Sequence, residues 1–72
     1  MLERTIAFLG AGNMAEALIK GLLRAGTARP ESLIATARRP ERLEALGRTY
    51  GVRTTQDNLA AVREADVVVL AV

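Results

Sequence analysis

The feature that most narrows what this chain can fold into is the step from Phe8-Leu9 into Gly10-Ala11-Gly12-Asn13-Met14-Ala15. Before it, Thr5-Ile6-Ala7-Phe8-Leu9 is apolar after its first residue, the signature of a short strand buried on both faces. After it, from Asn13 to Ala25, the period changes. Met14, Leu18, Leu22 and Ala25 recur at helical spacing with Ala17 and Ile19 beside them, and Gly26 is the expected stop. Between strand and helix the pattern G-x-G-x-x-G/A gives each small residue a physical task. Gly10 permits the sharp turn, Gly12 omits a side chain that would block a pyrophosphate, and Ala15 lets the helix approach the sheet. The first N–H groups of the helix, near Asn13 and Met14, have no intrahelical acceptor and sit at the positive end of the helix dipole. A phosphate is the natural ligand for such a turn. Glycines alone would make only a compact turn; the strand and helix on either side favour dinucleotide binding. Close packing against the sheet is expected to explain Ala17 and Gly21.

The elements that follow keep the same alternation. Pro30-Glu31-Ser32 is a turn and Leu33-Ile34-Ala35-Thr36 a second strand. Pro40 suits the first turn of a helix, Leu43, Leu46 and Tyr50 form its apolar stripe, and Gly51 ends it. Val52 to Thr55 reads as a third strand. Asp57 or Asn58 can cap a helix carrying Leu59, Val62 and Ala65. Val67 to Val72 has no polar alternation, as expected for a strand at the centre of a parallel sheet. The order βαβαβαβ predicts an α/β fold, a Rossmann-like doubly wound parallel sheet that ends after its fourth strand. Residues 1–72 are thus expected to form one dinucleotide-binding domain, incomplete because no covering helix follows Val72. An apolar sheet face left bare predicts self-association.

Composition removes other classes. The chain has 72 residues, half of them apolar and only 3% aromatic, which allows one small domain with an aliphatic core. It contains no cysteine and no histidine, so disulfides, thiolate metal sites and a thiol or imidazole catalyst are excluded within it. The net charge of +2 is spread among acidic residues, which gives no footprint for nucleic acid. No apolar run approaches the roughly 20 residues of a membrane span. Met1-Leu2-Glu3-Arg4 does not open a secretory signal, and a cytoplasmic location is expected. Tyr50 is expected in the core with its hydroxyl at the surface, and Glu16 and Lys20 are placed for a surface ion pair. With no general acid or nucleophile in view, the chain alone is expected to bind without turnover.

The choice of nucleotide falls at the end of the second strand. NAD-binding units usually place Asp or Glu there for the ribose 2′-hydroxyl. Here the sequence reads Ala35-Thr36-Ala37-Arg38-Arg39. No carboxylate repels a 2′-phosphate, and guanidinium groups can bind one in a fork, so NADP(H) is preferred and NAD(H) remains open. Arg38 is expected to contact the 2′-phosphate and Arg39 to stack on adenine or face solvent. Thr36 and Ala37 can offer a hydroxyl or an N–H to the same phosphate. Asn58 can bond the adenine-side ribose, unless it serves as a helix cap. Ala71 and Val72, at the carboxyl edge of the last strand, can line the coenzyme with backbone.

The string Phe8-Leu9-Gly10-Ala11-Gly12-Asn13-Met14-Ala15-Glu16-Ala17-Leu18-Ile19 resembles the N-terminus of pyrroline-5-carboxylate reductases. Pro40-Glu41-Arg42-Leu43, Tyr50-Gly51-Val52, Asp57-Asn58 and Ala65-Asp66-Val67-Val68-Val69-Leu70-Ala71-Val72 follow in that family's order and spacing. The resemblance implies reduction of the cyclic imine 1-pyrroline-5-carboxylate to L-proline by hydride from NADPH or NADH, the last step of proline biosynthesis. It implies a coenzyme against the glycine-rich turn, the tip of the second strand, Asn58, Ala71 and Val72. It also implies a homo-oligomer formed by a helical C-terminal domain that carries the imino-acid pocket. Two alternatives stay open. One is a 3-hydroxyacid dehydrogenase-like enzyme, although such relatives typically have glycine where Ala15 stands. The other is a non-catalytic NADP-binding regulatory module.

Overall fold

The computed structural model describes residues 4–70. Strands β1 (Ile6–Leu9), β2 (Leu33–Thr36), β3 (Arg53–Thr55) and β4 (Val67–Leu70) alternate with helices α1 (Asn13–Arg24), α2 (Pro40–Tyr50) and α3 (Asn58–Glu64). Pro30–Ser32 forms one 3-10 turn where a simple turn is expected. The strands make one parallel sheet in the order β3-β2-β1-β4. The chain therefore builds outward from β1 to β3 and then returns to the other side of β1. That reversal makes a crevice at the carboxyl ends of β1 and β4, the place where open α/β sheets bind ligands.

The alternation of side chains across the strands divides the core. Ile6, Phe8, Leu33 and Ala35 point to one face and pack with Ala15 and Ile19 of α1, Leu46 of α2, and Val52. Ala7 and Ile34 point to the other, where Ala61 of α3 covers them. Phe8, Ile19, Leu33 and Leu46 are the largest fully buried apolar side chains. Each contributes about 1.5–3 kcal/mol relative to exposure, so the face of α1 and α2 carries most of the stability.

The helix ends follow from local chemistry. Gly26, at φ +69°, ends α1, with Thr27 N–H donating to the Leu22 carbonyl and Gly26 N–H to that of Leu23. This is a Schellman closure, which needs a left-handed residue. Gly51 ends α2 as expected. At α3 the capping choice resolves to Asp57, whose Oδ1 accepts from the N–H groups of Leu59 at 3.0 Å and Ala60 at 3.1 Å.

Several sequence expectations are corrected. The buried stripe of α1 runs through Ala15 and Ile19, with Leu22 and Leu23 partly covered, while Met14 is 72% and Leu18 45% exposed. In α3, Ala61 is buried, whereas Leu59 and Val62 are exposed. Ala17 and Gly21 do not pack against the sheet: both are exposed, and a Cβ on Gly21 would meet no atom within 4 Å. β4 pairs with β1 alone and so forms an edge of the described sheet rather than its centre. Its Val67, Val68 and Leu70 are exposed; Val68 and Leu70 share the face of Ala7 and Leu9, where α3 lies chiefly over the other three strands, whereas Val67 lies on the opposite face. The expected extension of this strand through Ala71 and Val72 lies outside the described residues.

Candidate functional site at the carboxyl ends of the strands

The glycine-rich turn is held by its own backbone and by Thr36. Gly10, at φ +78°, turns the chain out of β1. Its N–H donates to Thr36 Oγ1 at 3.2 Å, and the Ala11 N–H donates to the Thr36 carbonyl at 2.7 Å. The Gly12 N–H closes back on the Gly10 carbonyl at 2.8 Å, and the Gly12 carbonyl accepts the first helical N–H, from Glu16, at 3.0 Å. The amides of residues 10–12 are thus engaged within the protein.

The next three have no such partner among the described residues. Asn13, Met14 and Ala15 occupy the first turn of α1, where no intrahelical acceptor exists, and Gly12 provides no side-chain cap. Gly12 itself carries a second signal. Its φ of −96° is open to any residue, and a Cβ built there would meet nothing within 4 Å. Neither backbone geometry nor packing excludes a side chain here, so glycine, besides serving as the N-cap, leaves the space in front of the helix start open.

Beside the turn lies a cleft of about 410 Å³ lined by Leu9, Gly10, Thr36, Ala37, Arg38, Gln56, Asn58 and Leu70. Five residues singled out in the sequence thus meet in one place: Gly10, Thr36, Ala37, Arg38 and Asn58. Thr36 is only 1% exposed, and its hydroxyl serves the turn. Asn58, relieved of capping by Asp57, lines the cleft. Ala11 is buried beneath the turn. Gly12, Asn13 and Met14 are exposed at the start of α1, outside the cleft lining. Arg39 is also exposed and forms the N-cap of α2, its carbonyl accepting from Arg42 N–H at 3.1 Å. Ala71 and Val72 lie outside the described residues.

Sequence reasoning missed Gln56. Its Nε2 donates to the Arg38 carbonyl at 2.9 Å, which ties the loop after β2 to the loop after β3. Its position just past the tip of β3 was the available signal. The expected Glu16–Lys20 pair is also corrected. Glu16 Oε1 lies 2.7 Å from Arg42 Nη2, and Oε2 accepts from the Tyr50 hydroxyl at 2.7 Å. Arg42 Nη2 is closed off from solvent and makes no hydrogen bond of acceptable angle, so charge rather than direction holds that contact. The Tyr50 hydroxyl first, and then the Arg42 guanidinium, hold the Glu16 carboxyl below its ordinary value. The same carboxylate pushes Tyr50 up. The Tyr50 ring packs on the core, but its hydroxyl is spent on Glu16.

Among the described residues no cluster of metal-binding side chains occurs, and no helix is long and apolar enough to cross a membrane. A pyrroline-5-carboxylate reductase from Vibrio alginolyticus is 46% identical over 72 residues, all of this chain and 26% of that protein. One from Methanosarcina acetivorans is 39% identical over 72 residues, again all of this chain and 27% of that protein. The solved pyrroline-5-carboxylate reductase from Coxiella burnetii superposes with a TM-score of 0.90 at 41% identity, over 99% of this chain and 26% of that one. The chain thus spans about a quarter of the length of the relatives it matches. Residues 5–72 match the family described as NADP oxidoreductase, coenzyme F420-dependent, and the chain belongs to it, as a member that follows the pyrroline-5-carboxylate reductases in sequence and backbone.

Proposed function

We propose that this chain binds a nicotinamide dinucleotide across the carboxyl ends of β1, β2 and β4, as the coenzyme-binding part of a pyrroline-5-carboxylate reductase. The observation that carries the reading is Gly12. Its Cβ position is open, directly before three N–H groups that have no acceptor among the described residues. A pyrophosphate fits both features, since it needs close approach to the backbone and accepts from a helix start.

The remaining roles follow from position. Asn13 and Met14 offer N–H groups to the pyrophosphate, with Ala11 buried beneath them and Gly10 shaping the turn. Thr36 and Ala37 border the adenosine end. Arg38, which lines the cleft, is placed for a 2′-phosphate, with Arg39 beside it at the start of α2. Asn58 reaches the ribose; Ala71 and Val72, the other two positions expected at the coenzyme, lie outside the described residues. NADP(H) is preferred over NAD(H), because Arg38 and Arg39 stand where a carboxylate would select the free hydroxyl.

When bound, the coenzyme supplies the hydride that adds to the C=N carbon of 1-pyrroline-5-carboxylate, while a proton adds to nitrogen to give L-proline. The part of this chain is to bind and orient, since the coenzyme carries the reducing chemistry. The names and backbone of the relatives support the substrate. The oligomeric state and the cytoplasmic setting belong to the same proposal.

The test is a titration of the chain with NADPH and NADH, repeated on Gly12→Ala and Arg38→Ala with thermal unfolding of each. Gly12→Ala should abolish binding of both while changing stability by less than about 1 kcal/mol, since alanine is only a poorer N-cap. Arg38→Ala should weaken NADPH alone. Unchanged coenzyme affinity in Gly12→Ala would refute the reading.

A further inference from the structure

Behind the turn, three side chains join α1 to α2. Arg42 Nε donates to the Ala11 carbonyl at 3.2 Å, a contact across 31 residues of sequence. That carbonyl belongs to the Ala11–Gly12 peptide, whose N–H is bonded to the Gly10 carbonyl. The peptide plane leading into α1 is therefore held at both ends. Glu16, on the first turn of α1, lies against the Arg42 guanidinium and accepts from Tyr50 at the far end of α2. Arg42 itself stands on the first turn of α2, just after the Arg38-Arg39 loop.

We propose that Arg42 is a positioning residue for the coenzyme pyrophosphate, fixing the glycine-rich turn through the Ala11 carbonyl while Glu16 and Tyr50 fix Arg42. The proposal rests on the coenzyme occupying that turn. Arg42 touches no coenzyme atom; it sets the peptide that aims the free N–H groups of α1. Because the pyrophosphate is common to NADPH and NADH, Arg42 acts on both alike, whereas Arg38 acts on the 2′-phosphate that only one of them has.

The test measures NADPH and NADH affinity of the chain in Arg42→Ala, Arg42→Lys and Tyr50→Phe, each well below its own unfolding temperature. Loss of a hydrogen bond from a charged donor predicts binding weakened about tenfold in Arg42→Ala, with the NADPH to NADH ratio kept. Arg42→Lys should recover part of this, since an ammonium can still donate to the Ala11 carbonyl. Tyr50→Phe, which leaves Arg42 in place but loosens its anchor, should move both affinities in the same direction by less. If Arg42→Ala does not fold, Tyr50→Phe decides by the same criterion. A lowered unfolding temperature with both affinities unchanged would overturn the proposal and leave a simple brace between helices. A loss confined to NADPH would overturn it too, making Arg42 a reader of the 2′-phosphate. A wild-type chain that binds neither nucleotide removes the coenzyme reading and this proposal together.

Discussion

The Thr36 hydroxyl accepts the Gly10 N–H at 3.2 Å, a partly buried bond between residues 26 apart that joins the end of β2 to the turn leaving β1. Thr36→Val keeps the shape and removes the acceptor. An N–H left without a partner costs about 1–3 kcal/mol, and the turn it belongs to loses its anchor. Urea unfolding should show that loss in Thr36→Val and little of it in Thr36→Ser, which keeps a hydroxyl.

Ile19 and its neighbour Leu18 should behave as different kinds of residue. Ile19 is fully buried and Leu18 is 45% exposed, although both are aliphatic and one position apart. Ile19→Ala should cost about 2–5 kcal/mol, enough to unfold much of a small domain. Leu18→Ala should cost less than about 1 kcal/mol, because much of its surface is never removed from water. Equal losses in thermal unfolding would mean that the buried stripe is misplaced.

Gly21 offers a gain instead of a loss. It lies within α1 with open space where a Cβ would be, so alanine relieves an entropic cost without a clash. Gly21→Ala should raise stability by about 1 kcal/mol and the unfolding temperature by several degrees.

The bridge between Glu16 and Tyr50 makes stability depend on pH in two directions. The folded protein holds the Glu16 carboxyl below its ordinary value of 4.5, chiefly through the Tyr50 hydroxyl and the Arg42 guanidinium, with Lys20 adding a weak field. Its contribution is therefore complete above that value and is lost as pH falls through the lowered one. Tyr50 is raised above its ordinary 10.0 by the same carboxylate, so its contribution is complete below that value and is lost as pH rises through the raised one. The difference in unfolding temperature between wild type and Tyr50→Phe should be widest between about pH 5 and 9 and should narrow on both sides. A difference independent of pH would show that packing alone is at stake.

How far the sequence could be read depended on the range of the interaction involved. β1, β2 and both ends of α2 were legible because uninterrupted apolar runs, Pro40 and Gly51 act locally. The phase of α1 was not. Met14, Leu18 and Leu22 repeat as regularly as Ala15, Ile19 and Leu22, and only the packing of the helix on the folded sheet decides which row is covered. The residue types of the site were legible through the glycine spacing and the missing carboxylate after β2. Glu16 was assigned to Lys20 because only neighbours on one helix can be paired from spacing. Its actual partners, Arg42 and Tyr50, come from a helix that packs beside it in the folded chain. Asp57 and Asn58 were equally plausible caps, and only hydrogen bonds separate the one that closes the helix from the one left facing the cleft.

Among the described residues, the engagement of residues 10–12 and the freedom of residues 13–15 leave a sharp boundary inside a short stretch of backbone. Deuterium from solvent should replace the amide protons of Asn13, Met14 and Ala15 quickly and those of Gly10, Ala11 and Gly12 slowly, as bonded and unbonded amides differ. An anion settled on the helix start would slow the fast group and hardly alter the slow one. The turn thus carries its own reference signal, and occupancy can be read from the ratio of neighbouring residues in a single spectrum.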